Sequence, residues 1–445
     1  MAMLPRLRPR TFYDLVIQIA IVRPGPIQGD MVHPYLRRRQ GQEAVSYPNE
    51  EIRGVLARTL GVPIFQEQVI KLAMVAAGFS GGEADQLRRA MAAWSRNGTL
   101  MAFRDKVVNG MLARGHPEEF AERLFNQMKG FGDYGFPESH AASFALLAYA
   151  SAWLKRHHPA AFCCALLNSQ PMGFYSPSQL VQDLRRHGVQ VLPVDVNHSL
   201  AESSLDARGA AAPALRLGLH LVKGLRTETA HRLAEARPVR GFRSIAELTA
   251  RAGLDRGEVE LLAQAGALVT LAGNRHQAHW QARAIEPFRP LLGSAEPDDG
   301  VRLPAPTESA DVVADYRSLG LSLGRHPVAL LRERGELERC CPAAELPLRG
   351  SGRFVRVGGL VTCRQRPGTA SGVLFLTLED DTGNINVVVW KDRQERFRKA
   401  LLGGRLLLVK GIVENRDAVV HVIAGEIIDR SEALGGIESQ SRDFH

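Results

Sequence analysis

The pattern of apolar residues changes from helical to β-type near residue 350, so the chain contains more than one kind of domain. Residues 50–168 carry helical patterns that end at glycine or proline. Residues 352–428 instead contain five β-type segments separated by turn residues, with one short polar helix at about 391–402. Five strands with one inserted helix predict an OB barrel.

Two similar units lie between these regions, each with a glycine followed by a helix. The glycines are Gly224 and Gly253, and the second unit is the more degenerate. The segment after them is rich in proline and acidic residues, which predicts a linker. The predicted organisation is multidomain: an all-α domain at 1–170, a connecting segment at 171–213, a tandem helix-hairpin-helix domain at 214–285, a linker at 286–350, an all-β OB-fold domain at 351–430, and a polar tail without regular structure at 431–445.

Composition places the chain among soluble globular proteins with an anionic partner. Of its 445 residues, 45% are hydrophobic and 23% are charged, and the net charge is +9. Such a basic balance favours nucleic acid. The spacing of the five cysteines indicates neither a disulfide framework nor a C-x-x-C metal site. Cysteines of this kind are typical of proteins in a reducing cytoplasm. The N-terminus resembles a signal peptide, but Asp14 and Gln18 interrupt its apolar core, and the sequence therefore predicts a cytoplasmic protein without membrane spans.

Two adjacent arginines, Arg88 and Arg89, follow a predicted capping box at Ser80 and Glu83. An ion pair with Asp85 would explain them on a solvated helix. The planar guanidinium also suits phosphate oxygens, so the pair is a candidate nucleotide site. The residues alone leave both interpretations open.

Basic and glycine-rich loops supply further candidates. Arg23 lies in the rigid RPGP loop, and a run of three arginines follows it, Arg37, Arg38 and Arg39, which suits DNA phosphates or a solvated surface. In GFGDYGFPESHAASF, His140 stands at a helix start that offers an anion site, or it packs within an aromatic turn.

The glycine hairpins and the barrel are candidate DNA-binding elements. Hairpin backbone amides at a helix start suit phosphate contacts that do not depend on base sequence. Aromatic residues in a basic groove suit stacking on single strands, although such aromatics also serve as core. The candidates are Lys223, Gly224, Arg226 and Gly253 in the hairpins, and Arg356, Phe375, Trp390, Lys391 and Arg393 in the barrel.

No catalytic or metal-binding residue is predicted in this chain. Two-metal phosphoryl transfer needs clustered carboxylates, commonly D-x-D, and the sequence contains no D-x-D. The nearest acidic cluster, Glu379 to Asp381, continues into Thr-Gly and predicts a hairpin turn. His276 and His279 lack the partners of a zinc site.

Several long motifs resemble the fingers of bacterial C-family DNA polymerases, the family of the polymerase III alpha subunit. They are RPGPIQGDMVHPY, GVPIFQEQV, GFSGGEADQLRRAM, GFGDYGFPESHAASFALLAYASAWLK and HPAAF. Within that family, RRAMAAW, NSQPMGFYSPSQLVQDLRRHGV, LVTCRQRPGTASG and the terminal SRDFH resemble error-prone DnaE-type members. The resemblance extends from about residue 3 to the C-terminus.

The resemblance implies a function for the candidates. It makes Arg88 and Arg89, with His140, nucleotide-binding residues of an error-prone DNA-directed DNA polymerase used in damage-induced translesion synthesis and DNA repair. The family's PHP domain, thumb and palm precede the fingers, so we expect a C-terminal fragment with no cofactor of its own and little independent activity. Mg²⁺ is expected at the palm, and dNTP is the expected substrate.

Partners implied by the resemblance are primer–template DNA, single-stranded template, an inactive Y-family polymerase homologue, a RecA-like protein and, indirectly, the sliding clamp. The linker contains no evident clamp-binding peptide. The alternatives are a stand-alone, non-catalytic DNA-binding protein built from the same modules, and an OB-containing RNA-binding factor.

Overall fold

The computed structural model describes residues 3–22, 32–92, 101–130, 137–173, 175–207, 213–285, 301–367, 372–416, 419–435, 437 and 442–444. The chain divides into two compact units, residues 1–152 and residues 153–445. Each unit has its own buried apolar side chains.

The first unit is built from helices, as predicted. They are α1 (Met3–Leu7), α2 (Phe12–Ile21), α3 (Val32–Arg39), α4 (Glu50–Leu56), α5 (Gln66–Ala77), α6 (Gly81–Ala92), α7 (Met101–Ala113), α8 (Glu118–Gly130) and the greater part of α9 (Glu138–His157). One buried core joins them, and Tyr35, Phe65 and Phe125 are its largest fully buried side chains. Burial of one apolar stripe per helix stabilises this arrangement.

Local capping fixes where α6 begins. The backbone amide and Oγ of Ser80 donate to Oε2 of Glu83 at 2.8 and 2.9 Å. The Glu83 amide donates back to Ser80 Oγ at 3.4 Å, which confirms the predicted capping box. Leu87 and Met91 are fully buried, so the arginines between them lie on the exposed side of the helix.

The second unit begins with helices around a small sheet. The helices are α10 (Pro159–Asn168), α11 (Pro177–Arg186), α12 (Thr227–Glu235), α13 (Ile245–Ala252), α14 (Arg256–Gln264), α15 (Val269–Ala272) and α16 (Arg275–Ala284). The strands are β1 (Val191–Leu192), β2 (Ser204–Asp206) and β3 (Ala214–Arg216), with β3 in the centre. Side chains from these elements share a second core.

Part of the predicted linker is folded. Residues 301–350 contain α17 (Glu308–Ser318), α18 (Pro327–Glu333) and a 3₁₀ helix (Ala343–Leu348), and residues 286–300 lie outside the described residues. Val312, Tyr316 and Leu331 are buried in a cluster with Leu360 and Leu406 of the barrel. The linker prediction is therefore wrong for these helices, because their apolar residues pack against the barrel.

The C-terminal barrel confirms the five predicted strands. They are β4 (Phe354–Gln365), β5 (Leu374–Glu379), β6 (Asn384–Val389), β7 (Leu406–Arg416) and β8 (Val419–Asp429), and α19 (Lys391–Arg396) and α20 (Arg398–Gly403) connect β6 to β7. The strand order β5-β6-β8-β7-β4 closes through a β5–β4 pairing. Gly359 allows this closure, because a Cβ there would lie 2.8 Å from the carbonyl oxygen of Glu379.

A short strand in the tail was not predicted. β9 (Arg442–Phe444) pairs in parallel with residues 363–365 of β4. All five cysteines lie in described ranges, and none of them forms a disulfide. Among the helices described, none has the length and hydropathy needed to cross a membrane.

Candidate nucleotide and nucleic-acid interfaces

The two arginines on α6 share one carboxylate. Arg88 Nη2 lies 2.9 Å from Asp85 Oδ1, and Arg89 Nη2 lies 2.8 Å from Oδ2. Hydrogen bonding from Arg88 holds the pKa of Asp85 below its ordinary value. The Arg88 side chain is 47% exposed and that of Arg89 is 74% exposed. The predicted ion pair therefore exists, and the same guanidinium groups remain accessible to an anion from solvent.

The three arginines at the end of α3 contact the first unit itself. Arg39 Nη1 lies 2.7 Å from Asp14 Oδ1, and Arg39 Nε donates to the Leu7 carbonyl at 2.9 Å. Burial alone would raise the pKa of Asp14, but the hydrogen bonds from Arg39 and two backbone amides lower it to about 2. Arg38 donates to Glu43 and to the Leu60 carbonyl, both at 2.8 Å. These contacts give Arg38 and Arg39 a structural role.

Arg37 is the most exposed of the three. Its side chain is 53% exposed and pairs with Glu43 at 2.9 Å. Arg37 lines a cavity of about 530 Å³ together with Arg38 and Arg123. Arg23 lies outside the described residues. DNA contact by these arginines stays a prediction.

His140 lies in the first turn of α9, as predicted. Its ring packs edge-on against Phe144 with the centroids 4.8 Å apart. The preceding Glu138 accepts hydrogen bonds from Tyr13 at 2.7 Å and from Arg58 at 3.3 Å, and its own amide donates to Glu67. Two carboxylates, those of Glu138 and Glu67, therefore lie at the start of this helix. His140 follows Ser139 in the same turn and is exposed. Nucleotide contact by His140 stays a prediction.

The first hairpin offers backbone amides at an uncapped helix start. Gly224 has a φ of +82°, a value that favours glycine, in the turn before α12. The residue before α12, Arg226, makes no side-chain cap. Lys223 Nζ donates to the Tyr316 carbonyl at 2.9 Å, although the residue is exposed. This hairpin has the geometry expected for a phosphate contact.

The second hairpin differs at its helix start. Gly253 has a φ of +57° and caps α13, and Asp255 then caps α14 by accepting from the Glu258 amide at 2.8 Å. A carboxylate therefore occupies the place where a phosphate would bind. A carboxylate also lies at the first hairpin, where Glu228 is in the first turn of α12. DNA contact by either hairpin stays a prediction.

Glu258 joins the two hairpins. Its Oε1 accepts from Arg226 at 2.8 Å and from Thr229 at 2.6 Å, and its Oε2 lies 3.2 Å from Arg232. Burial raises its pKa, but these hydrogen bonds outweigh burial and leave the pKa below the ordinary value. Arg226 is thereby held in place beside the Gly224 turn.

An apolar row crosses the outside of the barrel. Strand pairing aligns Phe375 with Val388, Val388 with Ile423, Ile423 with Ile412, and Ile412 with Phe354. We call these five residues the barrel row. The neighbouring residues in sequence, Leu376, Val387, Val422, Val413 and Val355, all lie in the barrel core. The row therefore faces outwards, since side chains alternate along a strand.

An aromatic residue lies at each end of the barrel row, Phe354 at one end and Phe375 at the other. Phe354 is 64% exposed and Ile412 is 50% exposed, whereas Phe375 is half-buried. Sequence reasoning identified Phe375 but not the row, because the row depends on register between distant strands. Phe354 and Ile412, which are paired on β4 and β7, are its exposed part, whereas Val388 is buried. An exposed aromatic side chain of this kind suits the stacking of a base.

Basic residues lie beside the row. Arg356 is paired with Lys410 in register, and Lys410 Nζ lies 2.8 Å from Glu426. Trp390, the residue between β6 and α19, is 52% exposed, and the exposed Lys391 follows it. Arg393 lies on the same helix and contacts Asp392 at 3.3 Å. Trp390 and Lys391 are accessible, and DNA contact by the predicted barrel residues stays a prediction.

The acidic cluster at the β5–β6 turn has a structural role. Asp380 Oδ1 accepts from the Thr382 and Gly383 amides at 2.8 and 2.9 Å, which is the predicted hairpin turn. Glu379 is buried beside Arg186 and His326. Within the described ranges, no three His, Cys, Asp or Glu side chains are grouped closely enough to hold a metal ion.

Three family profiles match the chain in the order in which the structure places its domains. The bacterial DNA polymerase III alpha subunit finger domain matches residues 1–115, a helix-hairpin-helix motif matches residues 188–278, and an OB-fold nucleic acid binding domain matches residues 355–429. These matches confirm the predicted fold class.

Whole-chain relatives share a single description. The chain is 61% identical to an error-prone DNA polymerase of Alkalilimnicola ehrlichii and 60% identical to one of Teredinibacter turnerae. It is 57% identical to one of Pseudomonas aeruginosa. All of this chain is matched in each case, against 44%, 44% and 43% of the respective relative. The chain thus spans less than half the length of these relatives and corresponds to their C-terminal part.

Proposed function

Because this chain belongs to the bacterial error-prone DNA polymerase family, we propose that it supplies the nucleotide-holding and DNA-holding part of such an enzyme. The whole enzyme would transfer a nucleotidyl group from dNTP to a primer 3′-hydroxyl during translesion synthesis and DNA repair. The observation that carries the proposal is the accessible Arg88–Arg89 pair on α6, within the region that matches the polymerase finger domain. The barrel row and the Gly224 hairpin support DNA binding.

Arg88 and Arg89 would bind the triphosphate of the incoming nucleotide. Ion pairs on an exposed helix surface are weak, so a polyanion displaces the Asp85 carboxylate from the two guanidinium groups. Two guanidinium forks offer several charge-assisted hydrogen bonds to phosphate oxygens. Their chemical task is to bind and orient the nucleotide and to neutralise its charge.

Mg²⁺ does not fit the residues of this chain that the structure describes, which offer no cluster of carboxylates on an open surface. We propose that the metal, and the carboxylates that bind it, belong to the amino-terminal part of the enzyme. No catalytic residue is assigned to this chain. An inactive Y-family polymerase homologue, a RecA-like protein and the sliding clamp are proposed as accessory partners.

Binding of DNA by the whole chain tests the proposal. We expect the affinity for a primer–template with a single-stranded overhang to fall steeply with salt, because each phosphate contact releases counterions. The expected slope is about 0.9 log units per contact per decade of salt on duplex and about 0.7 on single strands. Fluorescence anisotropy at several salt concentrations measures the slope. Binding that is independent of salt, or no binding at low salt, would contradict a DNA-holding role.

A further inference from the structure

Helix α6, which carries the two candidate nucleotide-binding arginines, begins just after a tight turn at the end of α5. Gly78 follows α5 with a φ of +76°, and the Phe79 amide donates to the Ala73 carbonyl at 3.1 Å, as in a Schellman motif. Gly81 then begins α6. We call residues 77–80 the α5–α6 corner. The place of this corner decides where α6 presents its arginines.

One side of α7 packs against the corner. Phe103, Lys106 and Gly110 are three and four residues apart, so they share one side of this helix. The ring centroids of Phe103 and Phe79 lie 6.4 Å apart. Lys106 Nζ lies 5.3 Å from the Phe79 ring centroid and 2.5 Å from Oε1 of Glu83, in the first turn of α6. Helix α7 therefore contacts both the corner and the start of α6.

Gly110 lets α7 approach the end of α5 closely. A Cβ at this position would lie 2.3 Å from the Ala77 carbonyl oxygen, far inside van der Waals contact. The obstacle is backbone, which cannot rotate away as a side chain can, so the two helices would have to move apart. Arg114, the residue after α7, donates from Nη1 to the Val75 carbonyl at 3.2 Å. The separation of α5 and α7 is thus fixed beside the corner.

We propose that α7 positions Arg88 and Arg89 for the bound nucleotide, with Gly110 and Lys106 as the positioning residues. The proposal rests on the proposed function of the two arginines. Gly110 sets how closely α5 lies against α7, and Lys106 holds the first turn of α6 through Glu83. A guanidinium group displaced by about 1 Å still reaches a phosphate but no longer orients it, and such a displacement can lower the rate about a hundredfold.

Single-nucleotide incorporation tests the positioning role. The full chain is mixed with the amino-terminal part of the Alkalilimnicola ehrlichii relative, a primer–template, dNTP and Mg²⁺. Gly110→Ala should lower kcat by about ten- to a hundredfold and change KM by less than about threefold, because the arginines still bind the nucleotide but misalign it. Gly54→Ala is the matched control. Gly54 lies on α4 of the same unit with open space at its Cβ position, so this variant should behave like the wild type.

A double-mutant cycle separates positioning from a purely structural role. In a chain that carries Arg88→Ala and Arg89→Ala, Gly110→Ala has no arginine left to misplace, so it should lower kcat by less than about twofold. An equal loss in both backgrounds, or a folded Gly110→Ala chain with the wild-type kcat, would overturn the proposal. The arginine variant by itself tests the proposed function. If it keeps the wild-type kcat/KM, the proposed function fails, whereas an equal loss in both backgrounds leaves that function standing.

Lys106 provides the test if thermal denaturation shows that Gly110→Ala does not fold. Lys106→Met keeps the stem beside the Phe79 ring and removes the charge that holds Glu83. It should lower kcat about threefold, since exposed ion pairs are weak, and the loss should disappear in the background without the two arginines. Lys106→Arg should restore the wild-type kcat. Equal kcat in all three chains, or a loss that Lys106→Arg does not restore, contradicts a positioning role for α7.

Discussion

Replacing Arg88 or Arg89 with Ala should lower kcat/KM for dNTP by about ten- to a hundredfold in an active enzyme that contains this chain. A hydrogen bond to a charged group contributes about 1.5–3 kcal/mol, which corresponds to that range. Both KM and kcat should change, because the bonds position the nucleotide as well as hold it. Single-nucleotide incorporation kinetics, with the amino-terminal part of a relative supplied, measure the effect.

Asp85→Asn is the matched control for these variants. It removes the carboxylate that holds both arginines and leaves both guanidinium groups in place. Surface ion pairs contribute about 0–1 kcal/mol, so kcat/KM should change by no more than about fivefold. If both alanine variants fold and keep the wild-type kcat/KM, the arginines serve only the helix surface.

Replacing Phe375 with Ala should weaken binding of single-stranded DNA by about five- to a hundredfold. Stacking of a base on an aromatic side chain contributes about 1–3 kcal/mol, and it tolerates any base. The loss should therefore be similar for oligo-dT and for mixed sequences. Because no charge is removed, the dependence of log Kd on log salt should keep its slope.

Lys391→Glu together with Arg393→Glu provides the complementary control. These changes should reduce the salt slope, whereas Phe375→Leu should reproduce the loss of affinity with the slope unchanged. Circular dichroism verifies that the barrel remains folded. Equal affinity of Phe375→Ala and wild type would mean that this end of the barrel row serves another contact.

The barrel strands were predictable because each one is a run of apolar and β-branched residues bounded by turn residues in the sequence. The segment predicted from residues 405 to 414 corresponds to β7, for example, and its inward residues Val409 and Val413 are buried. Neither β9 nor the barrel row was predictable in this way. Both depend on which residues of distant strands lie side by side, and register is set by tertiary pairing.

The contacts of the site residues divide in the same way: those between residues close in sequence were predictable, and those between distant residues were not. The Asp85 ion pair was predictable, because its partners are three and four residues apart on one helix. The contacts of Arg38 with Leu60 and of Arg39 with Asp14 span 22 and 25 residues, and only the packed helices bring them together. The run of three arginines predicts a DNA-binding surface. Two of them, Arg38 and Arg39, instead make contacts that stabilise the first unit.

Primer extension tests the central claim most directly. The purified chain, the amino-terminal part of the Alkalilimnicola ehrlichii relative, and their mixture are each given a primer–template and dNTPs with Mg²⁺. We predict no extension by this chain alone and template-dependent extension by the mixture at a rate well above that of the amino-terminal part alone. Extension by this chain alone, or a mixture no faster than the amino-terminal part while the chain still binds DNA, would contradict the account and favour a non-catalytic DNA-binding protein.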